Sequence, residues 1–312
     1  FSHLAEISKG TNKMGILKMD VDNLGKIFSR GLENPSISRV STLSSFMDLF
    51  FSGYINQIAI RYRVLEDICP SCHDEVTFDK ISLNFGDEGS NIEVYREVDG
   101  KVCSKCERTA IPTIYTTYSG GDDLLVLGPY DHIIEFAEEL RREFKEWTCY
   151  NDDISISAGI FIAGPKFPAE RGIRFADNSL STSKDCGKDM ITLFDETVLW
   201  ETKEPYKGFD DIINFAFKLE ELSETKKISK SLVYSMLTMW QDTFSSIKPA
   251  SDQKEWKKNN KVRLEKKRYV PLFKYKLRTV KNHQVREEIN RDGLKFMPWI
   301  KIPASWVSLR TR

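Results

Sequence analysis

The stretch Ile111-Pro-Thr-Ile-Tyr-Thr-Thr-Tyr-Ser-Gly-Gly-Asp-Asp-Leu-Leu-Val-Leu127 decides the fold, because it places two strand-like runs around a tight turn. The first run, 111–118, is rich in β-branched and aromatic residues, and the second, 124–127, is wholly apolar. Between them lies Gly-Gly-Asp-Asp, and glycine accepts the backbone conformations that a hairpin turn demands. We therefore predict a β-hairpin whose turn lies at 120–123.

Strands and helices alternate on both sides of this hairpin. Upstream, Met14-Gly-Ile-Leu-Lys-Met-Asp20 is typical of a buried strand that ends in a carboxylate, and Asp22 or Asn23 could cap a short helix. Helical spacing of apolar residues then predicts a long helix at 37–65. Downstream, the predicted elements are a helix at 133–147, a strand at 154–163, a helix at 174–186 ended by Gly187, and a last strand at 190–194. This order indicates an α+β fold with helices packed on a sheet that contains antiparallel strands.

The sequence changes character near residues 201–205, where strand signals give way to helical ones. The predicted helices beyond this point are 209–222, 229–244 and 269–281. Before residue 201, the helical periodicity of apolar residues stops at 67–110, where Gly, Asp and Asn are scattered between cysteines. We interpret this part as an insertion with its own small fold.

Composition and charge exclude several classes of protein. Of the 312 residues, 40% are apolar and 29% are charged, which excludes a disordered or collagen-like chain. No run approaches the roughly 18 apolar residues of a membrane span, and no signal peptide is visible, so we expect a cytoplasmic protein without membrane contact. Since the first residue is Phe1, we interpret the chain as a piece of a longer one.

The charge is balanced overall but unevenly distributed. Residues 254–312 hold 18 Lys and Arg against 5 Asp and Glu, a balance of +13, and the rest of the chain carries −13. A basic region on an acidic body indicates a polyanionic or acidic partner. A solvated helical face explains the same charges equally well.

Three carboxylates are placed to meet at one point. Asp20 ends the first predicted strand, and Asp122 and Asp123 lie in the hairpin turn, so they converge if that strand pairs with the hairpin. Clustered carboxylates repel one another unless a cation binds between them, and hard oxygen ligands select Mg²⁺ or Mn²⁺. The alternative is an ordinary turn with solvated carboxylates, but Asp22, two residues after Asp20, favours the metal site.

Four of the six cysteines form two Cys-x-x-Cys pairs, Cys69 with Cys72 and Cys103 with Cys106. In a reducing compartment, such pairs bind metal in preference to forming disulfides. Four thiolates predict a closed structural Zn²⁺ site inside the insertion. The alternative is four unrelated buried thiols. The residues that we interpret as ordinary side chains are His73, Cys149 and Cys186.

Met19-Asp-Val-Asp22 followed by Tyr118-Ser-Gly-Gly-Asp-Asp123 resembles the palm domain of nucleotidyl cyclases, GGDEF diguanylate cyclases and many polymerases. The chain is more similar still to the second palm domain of the large subunit of type III CRISPR effector complexes, Csm type. The segments that carry this likeness are 20–28, 37–43, 51–54, 118–129, 155–159, 306–312 and the cysteine pairs. The resemblance implies a ferredoxin-like palm at 1–199 with a zinc ribbon inserted at about 67–110, followed by a basic α-helical domain at 200–312.

The resemblance further implies ATP-dependent synthesis of cyclic oligoadenylate, switched on when the complex binds target RNA. Two Mg²⁺ or Mn²⁺ ions would assist attack of a ribose 3′-hydroxyl on the α-phosphate of another ATP. The implied catalytic residues are Asp20, Asp122 and Asp123, and the implied ligands of these ions are Asp20, Val21, Asp122 and Asp123. The implied substrate-binding residues are Asn23, Leu24, Ser119, Gly120, Gly121, Lys184 and Lys188. The two lysines belong to Lys184-Asp-Cys-Gly-Lys188, which is similar to a phosphate-contacting element of related cyclases.

The implied partners are ATP, the other effector subunits, guide RNA and target RNA. The family's HD nuclease domain and first palm domain are not in this sequence, so we expect no DNA cleavage and expect full activity only in the assembled complex. One alternative is a non-catalytic scaffold, which would not need metal-dependent ATP binding. Another is a diguanylate cyclase, which would prefer GTP and usually carries Glu-Phe where Asp123-Leu124 stands.

Overall fold

The computed structural model describes residues 2–31, 36–65 and 110–311. The strands are β1 (Met14–Val21), β2 (Arg63–Leu65), β3 (Ala110–Pro112), β4 (Tyr115–Gly120), β5 (Asp123–Pro129), β6 (Ile156–Ala163), β7 (Met190–Leu193) and β8 (Glu196–Leu199). The α-helices are α1 (Ser2–Glu6), α2 (Leu24–Arg30), α3 (Ile37–Asp48), α4 (Ile55–Ala59), α5 (Tyr130–Trp147), α6 (Ala169–Asp185), α7 (Phe209–Glu224), α8 (Lys230–Phe244), α9 (Gln253–Glu265), α10 (Val270–Lys276), α11 (His283–Phe296) and α12 (Lys301–Arg310). A π-helix spans Leu49–Tyr54, and 3₁₀ turns span Leu277–Thr279 and Met297–Trp299.

Six strands form one sheet in the order β4-β5-β1-β6-β7-β8, and β2 pairs separately with β3. The central strand β1 is antiparallel to β5 on one side and to β6 on the other, whereas β7 joins β6 in parallel. Helices connect β1 to the β4–β5 hairpin and β5 to β6, which gives the β-α-β-β-α-β connection of a ferredoxin-like fold. The predicted α+β class is confirmed.

Helices cover both faces of β1. Leu17, Met19 and Val21 pack in the main core, which also contains buried residues of α3, α4 and α5. Ile16 points to the opposite face and packs with residues of α1 and α6. Because side chains alternate along a strand, Lys18 and Asp20 lie on the same face as Ile16. Lys18 and Asp20 therefore lie on the face of the sheet that α6 covers, nearer the end of β1 than the apolar contact of Ile16.

The β4–β5 hairpin is confirmed in its predicted place. Gly120 pairs with Asp123, so Gly121 and Asp122 are the two loop residues. Gly121 has a φ of +68°, and a positive φ at the first loop position is the pattern of a type II′ turn. Glycine adopts this conformation without the strain that a Cβ would bring.

Several predicted boundaries were wrong. The helix predicted at 37–65 ends at Ala59 after the π-helical stretch, and β2 follows it. The strand predicted at 111–118 is divided between β3 and β4, and α6 begins five residues before the predicted start, at Ala169. The strand predicted as the last is followed by β8. The connection between β7 and β8 has positive φ at both Phe194 and Asp195, as in a type I′ turn. It lacks the glycine that usually signals such a turn.

The C-terminal segment contains α7 to α12, whereas only three helices were predicted there with bounds. Most of its buried apolar side chains belong to the same core as those of the sheet, whereas Trp256 of α9 packs with Cys186 and Met190. The proposed boundary between 1–199 and 200–312 remains a prediction. The predicted zinc-ribbon insertion lies outside the described residues, apart from Ala110, which begins β3. Among the helices that the structure describes, none is both long and apolar enough to cross a membrane.

Candidate active site

Asp20 of β1 and Asp123 of β5 are direct cross-strand neighbours. The Val21 amide donates to the Asp122 carbonyl at 3.0 Å, so that pair is hydrogen-bonded and the adjacent Asp20–Asp123 pair is not. In a pair of this kind, the Cα atoms are about 4.5 Å apart and the two side chains share a face. The structure therefore brings together two carboxylates that lie about a hundred residues apart in the sequence, with Asp122 in the adjoining turn.

Two lysine side chains lie near this acidic pair: Lys184 contacts Asp20, and Lys18 acts on both carboxylates through its charge. The Nζ atom of Lys184, at the end of α6, lies 2.6 Å from Oδ2 of Asp20. Lys18, on β1, has its Nζ atom 2.6 Å from Oδ1 of Asp177 on α6. Burial raises the pKa of Asp20, and the Lys184 ammonium offsets this only in part. Burial also raises the pKa of Asp123, with Lys18 opposing the shift and Asp20 adding to it. Burial therefore disfavours the ionised form of both carboxyls, and the nearby ammonium groups offset this effect only in part.

One carboxylate oxygen of the pair has no partner. Oδ1 of Asp123 is buried and accepts no hydrogen bond from the described residues. A buried carboxylate oxygen without a donor is costly, and it is the kind of ligand that a hard cation prefers. At Gly121, a Cβ would meet nothing within 4 Å, so the protein leaves space beside the turn. Both features suit a bound cation and a phosphate.

The predicted metal ligands remain a prediction. Across the described residues, no group of three or more His, Cys, Asp or Glu side chains is arranged to hold a metal ion. However, Mg²⁺ at nucleotide sites is usually bound by one or two carboxylates, with waters and substrate phosphates as further ligands. Asp20 and Asp123 fit a site of that type, with Asp122 beside them. The side chain of Val21 has no ligating atom, so this residue could offer a cation only its backbone carbonyl.

Asp22, which the sequence analysis took as support for the metal site, has a different environment. Its side chain is buried, with 1% of the residue exposed. It accepts hydrogen bonds from the Ser155 hydroxyl at 2.8 Å, the Ser157 hydroxyl at 2.8 Å and the Asp189 amide at 2.9 Å. These donors occupy both carboxylate oxygens. Asp22 therefore ties the end of β1 to β6 and to the turn after α6.

The predicted substrate-binding residues are partly engaged within the protein. Oδ1 of Asn23 lies 2.5 Å from Nζ of Lys188, and Asn23 has a left-handed backbone at the start of the seven-residue helix α2, where Leu24 is the first residue. The Ser119 hydroxyl donates to the Phe51 carbonyl, which leaves it less available to a ligand. Asn23 and Lys188 thus contact each other, and the hydroxyl of the half-buried Ser119 is engaged within the protein.

Lys18 is the candidate functional residue that the sequence analysis missed. Burial lowers its pKa, but the hydrogen bond to Asp177 and the charge of Asp123 outweigh this effect and raise the pKa overall. Its ammonium therefore stays charged beside the carboxylates. The signal was present, since Lys18 is the one basic residue in the otherwise apolar run before Asp20.

The cysteine predictions divide between described and undescribed residues. The predicted zinc ligands Cys69, Cys72, Cys103 and Cys106 lie outside the described residues. Of the remaining two, Cys149 is exposed and Cys186 is buried, and both are free thiols. Burial raises the pKa of Cys186 to about 11, so this thiol is unreactive at neutral pH.

Comparison with known proteins identifies similar chains. A family model described as "Cas10/Cmr2, second palm domain" matches residues 13–192. The CRISPR system single-strand-specific deoxyribonuclease Cas10/Csm1 (subtype III-A) of Methanocaldococcus jannaschii is 35% identical over 213 residues, which are 64% of this chain and 22% of that protein. The protein of the same name from Thermococcus onnurineus is 30% identical over 191 residues, which are 61% of this chain and 20% of that protein.

A similar fold occurs in solved structures. The crystal structure of a Csm1-Csm4 cassette in complex with pppApApA matches with a TM-score of 0.63 at 20% identity and covers 100% of this chain and 38% of that one. A Csm1-Csm4 cassette in complex with cA4 matches with a TM-score of 0.60, the same identity of 20% and the same coverage of 100% and 38%. The chain spans only about a fifth of the length of the two curated relatives, 22% and 20%.

Proposed function

Because the chain belongs to the Cas10/Cmr2 family and contains its second palm domain, we propose that it supplies the catalytic carboxylates of a type III CRISPR effector that converts ATP into cyclic oligoadenylate. The observation that carries the proposal is the cross-strand pair of Asp20 and Asp123 beside an open Gly-Gly turn. Crystal structures of Csm1-Csm4 cassettes in complex with AMPPNP, one ATP, pppApA, cA3 and cA4 support adenine nucleotides as the substrate class.

In the proposed reaction, the 3′-hydroxyl oxygen of one ATP forms a bond to the α-phosphorus of another, and pyrophosphate leaves. Asp20 and Asp123 would hold two Mg²⁺ or Mn²⁺ ions, with Asp122 at their side. When bound, such ions lower the pKa of the attacking hydroxyl and offset charge on the phosphates. Most of the remaining rate would come from positioning and from charge complementarity.

The basic side chains around the pair are suited to phosphate. Lys184 forms an ion pair with Asp20 in the structure. When a nucleotide and a cation bind, its ammonium group would leave Asp20 and pair with a phosphate oxygen. Lys188 and Asn23, which contact each other, would also bind the phosphates. Gly120 and Gly121 leave the turn backbone open to close approach, since a Cβ at either position would meet at most one protein atom within 4 Å.

The test is turnover of labelled ATP with Mn²⁺ by the chain combined with the remaining domains and subunits of its effector and activated by target RNA. The double variant Asp122→Ala, Asp123→Ala should lose oligoadenylate formation. The matched control is Asp152→Ala, Asp153→Ala, an exposed pair of adjacent aspartates in a loop, which should keep it. GTP in place of ATP tests the diguanylate cyclase alternative. Unchanged ATP turnover in the first variant would remove the proposal.

A non-catalytic scaffold is the second candidate, favoured by the ion pair that engages Asp20 and by the lack of a three-ligand metal cluster among the described residues. In this case the palm would serve assembly alone. Calorimetric titration with ATP separates the two functions, since the enzyme requires binding that strengthens with Mg²⁺ or Mn²⁺ and weakens in Asp123→Ala. An ATP affinity that is the same with and without the metal ion and in Asp123→Ala would favour the scaffold.

We further propose that this chain works with other effector subunits, a guide RNA and a target RNA. Csm4 accompanies Csm1 in the similar solved structures, which supports a subunit partner. The balance of +13 over residues 254–312 suits phosphate contacts, and affinity for RNA should then fall steeply with salt. RNA affinity that is the same at low and moderate ionic strength would argue against such contacts.

A further inference from the structure

Two ion pairs join β1 to α6 beside the candidate active site. Lys18 of β1 pairs with Asp177 of α6, with its Nζ atom 2.6 Å from Oδ1. Asp20 of β1 pairs with Lys184 of α6, with its Oδ2 atom 2.6 Å from Nζ. Lys18 and Asp20 share a face of the strand, and Asp177 and Lys184 share a side of the helix because they are about two turns apart. Strand and helix thus each contribute one cation and one anion.

Close packing of α6 on the sheet fixes the place of Asp177. Gly159 of β6 is the direct cross-strand neighbour of Lys18. A Cβ at Gly159 would lie 2.5 Å from the Ala176 carbonyl oxygen and 2.2 Å from the Leu180 amide nitrogen, so the helix backbone rests directly on this glycine. Asp177 follows Ala176 in the chain. The backbone of α6 therefore holds the Asp177 carboxylate beside Lys18.

Lys18 has a second anion within reach of its side chain. On β5, Leu125 lies opposite Lys18. Asp123 stands on the same face of the sheet, one step along the strand from Leu125, and is the diagonal neighbour of Lys18. Such neighbours are about 7–8 Å apart, which a long side chain can span. Oδ1 of Asp123 has no hydrogen-bond partner among the described residues, yet the Lys18 ammonium pairs with Asp177.

The pair of Lys18 with Asp177 contributes more to the charge of the site than to the fold. The Asp177 side chain is 51% exposed and that of Lys18 is 22% exposed, and ion pairs that reach solvent to this extent add little stability. An ammonium bonded to Asp123 would occupy an oxygen that a cation needs. It would also repel the cation through its own charge.

We propose that Asp177 is a positioning residue that holds the Lys18 ammonium away from Asp123 and so keeps this carboxylate open to a divalent cation. The inference rests on the proposed function, in which the acidic pair binds Mg²⁺ or Mn²⁺. Without the Asp177 charge, Lys18 would pair with Asp123 and compete with the cation there. Lys184 already engages the other carboxylate, Asp20, in this way, so the site would then have an ammonium on both of its paired carboxylates.

The test is the binding of Mn²⁺ to the whole chain without nucleotide, measured by electron paramagnetic resonance of the free ion. Binding to Asp123→Ala, measured in the same way, is subtracted as binding at other sites. Asp177→Asn should bind Mn²⁺ about three- to tenfold more weakly, since one ion pair is exchanged for another that blocks a ligand. The matched control is Glu170→Gln, which removes one charge and one exposed ion pair from the same helix. Its affinity should stay within about twofold of wild type.

A second substitution separates this role from a loss of structure or of negative charge. Lys18→Met removes the ammonium that Asp177 holds, so its Mn²⁺ affinity should equal or exceed that of wild type, because a nearby positive charge is gone. In the Lys18→Met background, Asp177→Asn should then change the affinity by less than about twofold. The Tm of metal-free Asp177→Asn should stay close to that of wild type, as expected for an exposed ion pair.

The possible failures of this inference and of the proposed function differ. Equal Mn²⁺ affinity of Asp177→Asn and wild type overturns the inference. So does a loss of affinity that persists in the Lys18→Met background, or one that Glu170→Gln shares. In these cases the wild-type chain still binds Mn²⁺ at Asp123, and the proposed function stands. Wild-type binding no greater than that of Asp123→Ala overturns both the inference and the metal site on which it rests.

Discussion

Replacing Asp22 by alanine should destabilise the chain strongly, even with no metal present. Its buried carboxylate satisfies the hydroxyls of Ser155 and Ser157 and the amide of Asp189. A buried donor that loses its acceptor costs about 1–3 kcal/mol. Rotation of the hydroxyls and entry of water reduce the total, so we expect the free energy of unfolding to fall by roughly 3–5 kcal/mol.

The asparagine variant should have a smaller effect. Asp22→Asn keeps the size of the side chain and one acceptor oxygen, but it loses the charge that strengthens each hydrogen bond. We therefore expect a loss of roughly 1–2 kcal/mol. Because Asp22 also holds the turn after α6 through the Asp189 amide, this variant should raise the KM for ATP through displacement of Lys188.

The assay is urea unfolding followed by circular dichroism in EDTA, with the slope of the transition checked for constancy. Asp152→Ala, at an exposed loop position, is the control and should change stability by less than about 0.5 kcal/mol. If Asp22→Ala changes the unfolding free energy by less than about 1 kcal/mol but abolishes stabilisation by Mg²⁺, Asp22 is a metal ligand and the structural role is refuted.

Three other changes have distinct expected outcomes. Asp123→Asn should stabilise the metal-free chain at neutral pH by about 0.5–1 kcal/mol in urea unfolding, because burial disfavours the ionised carboxyl. The variant should also abolish the rise in Tm with Mg²⁺. A loss of stability in the metal-free variant would contradict the unfavourable burial of the Asp123 charge. Glu220→Gln should cost roughly 1–3 kcal/mol at pH 7, because the buried Arg310 loses the charge of one carboxylate partner and keeps Asp131 at 2.9 Å. Burial raises the pKa of Glu220, but the hydrogen bonds from basic side chains outweigh burial and lower the pKa overall from 4.5. The stability that ionised Glu220 contributes is therefore present above pH 4.5 and is lost as the pH falls through the folded-state pKa. A stability difference between Glu220→Gln and wild type that does not shrink in acid would refute this role of Glu220. Metal analysis should find about one equivalent of zinc in the purified chain, lost in Cys69→Ser and kept in Cys149→Ser, and wild-type protein without zinc would contradict the four-cysteine site.

The parts of the fold that the sequence predicts are those with local causes. The apolar run of β1 and the glycines of the hairpin specify their structures within a few residues. The π-helix has a different origin. Within it, Phe50 and Phe51 are buried and Leu49 is exposed. That choice depends on the surrounding core, including contacts of Phe50 with Phe144 and Trp147. Periodicity of 3.6 residues cannot reveal it.

In the candidate site, too, contacts with a local cause are predictable from the sequence and contacts made through distant strand pairing are not. The pairing of Asp20 with Asp123 was predictable, because the short turn fixes the register of the hairpin and both residues stand at the ends of strands. The partners of Asp22 were not, because Ser155 and Ser157 lie 133 and 135 residues away and reach it only through the pairing of β1 with β6. A short Asp-x-Asp motif therefore does not establish that both aspartates face the same ligand.

The acidic pair is a local conflict that a bound cation would relieve. Like charges directly opposite each other on a sheet are destabilising, and the ion pair of Lys184 with Asp20 offsets the repulsion at one of the two carboxylates. A cation that binds Oδ2 of Asp20 would therefore compete with Lys184 for this oxygen. In the proposed function, a nucleotide would give the displaced ammonium a new anionic partner, so its binding would lower the cost of placing a cation at Asp20. By reciprocity, the cation strengthens the binding of the nucleotide, and each ligand alone should bind more weakly than in the presence of the other.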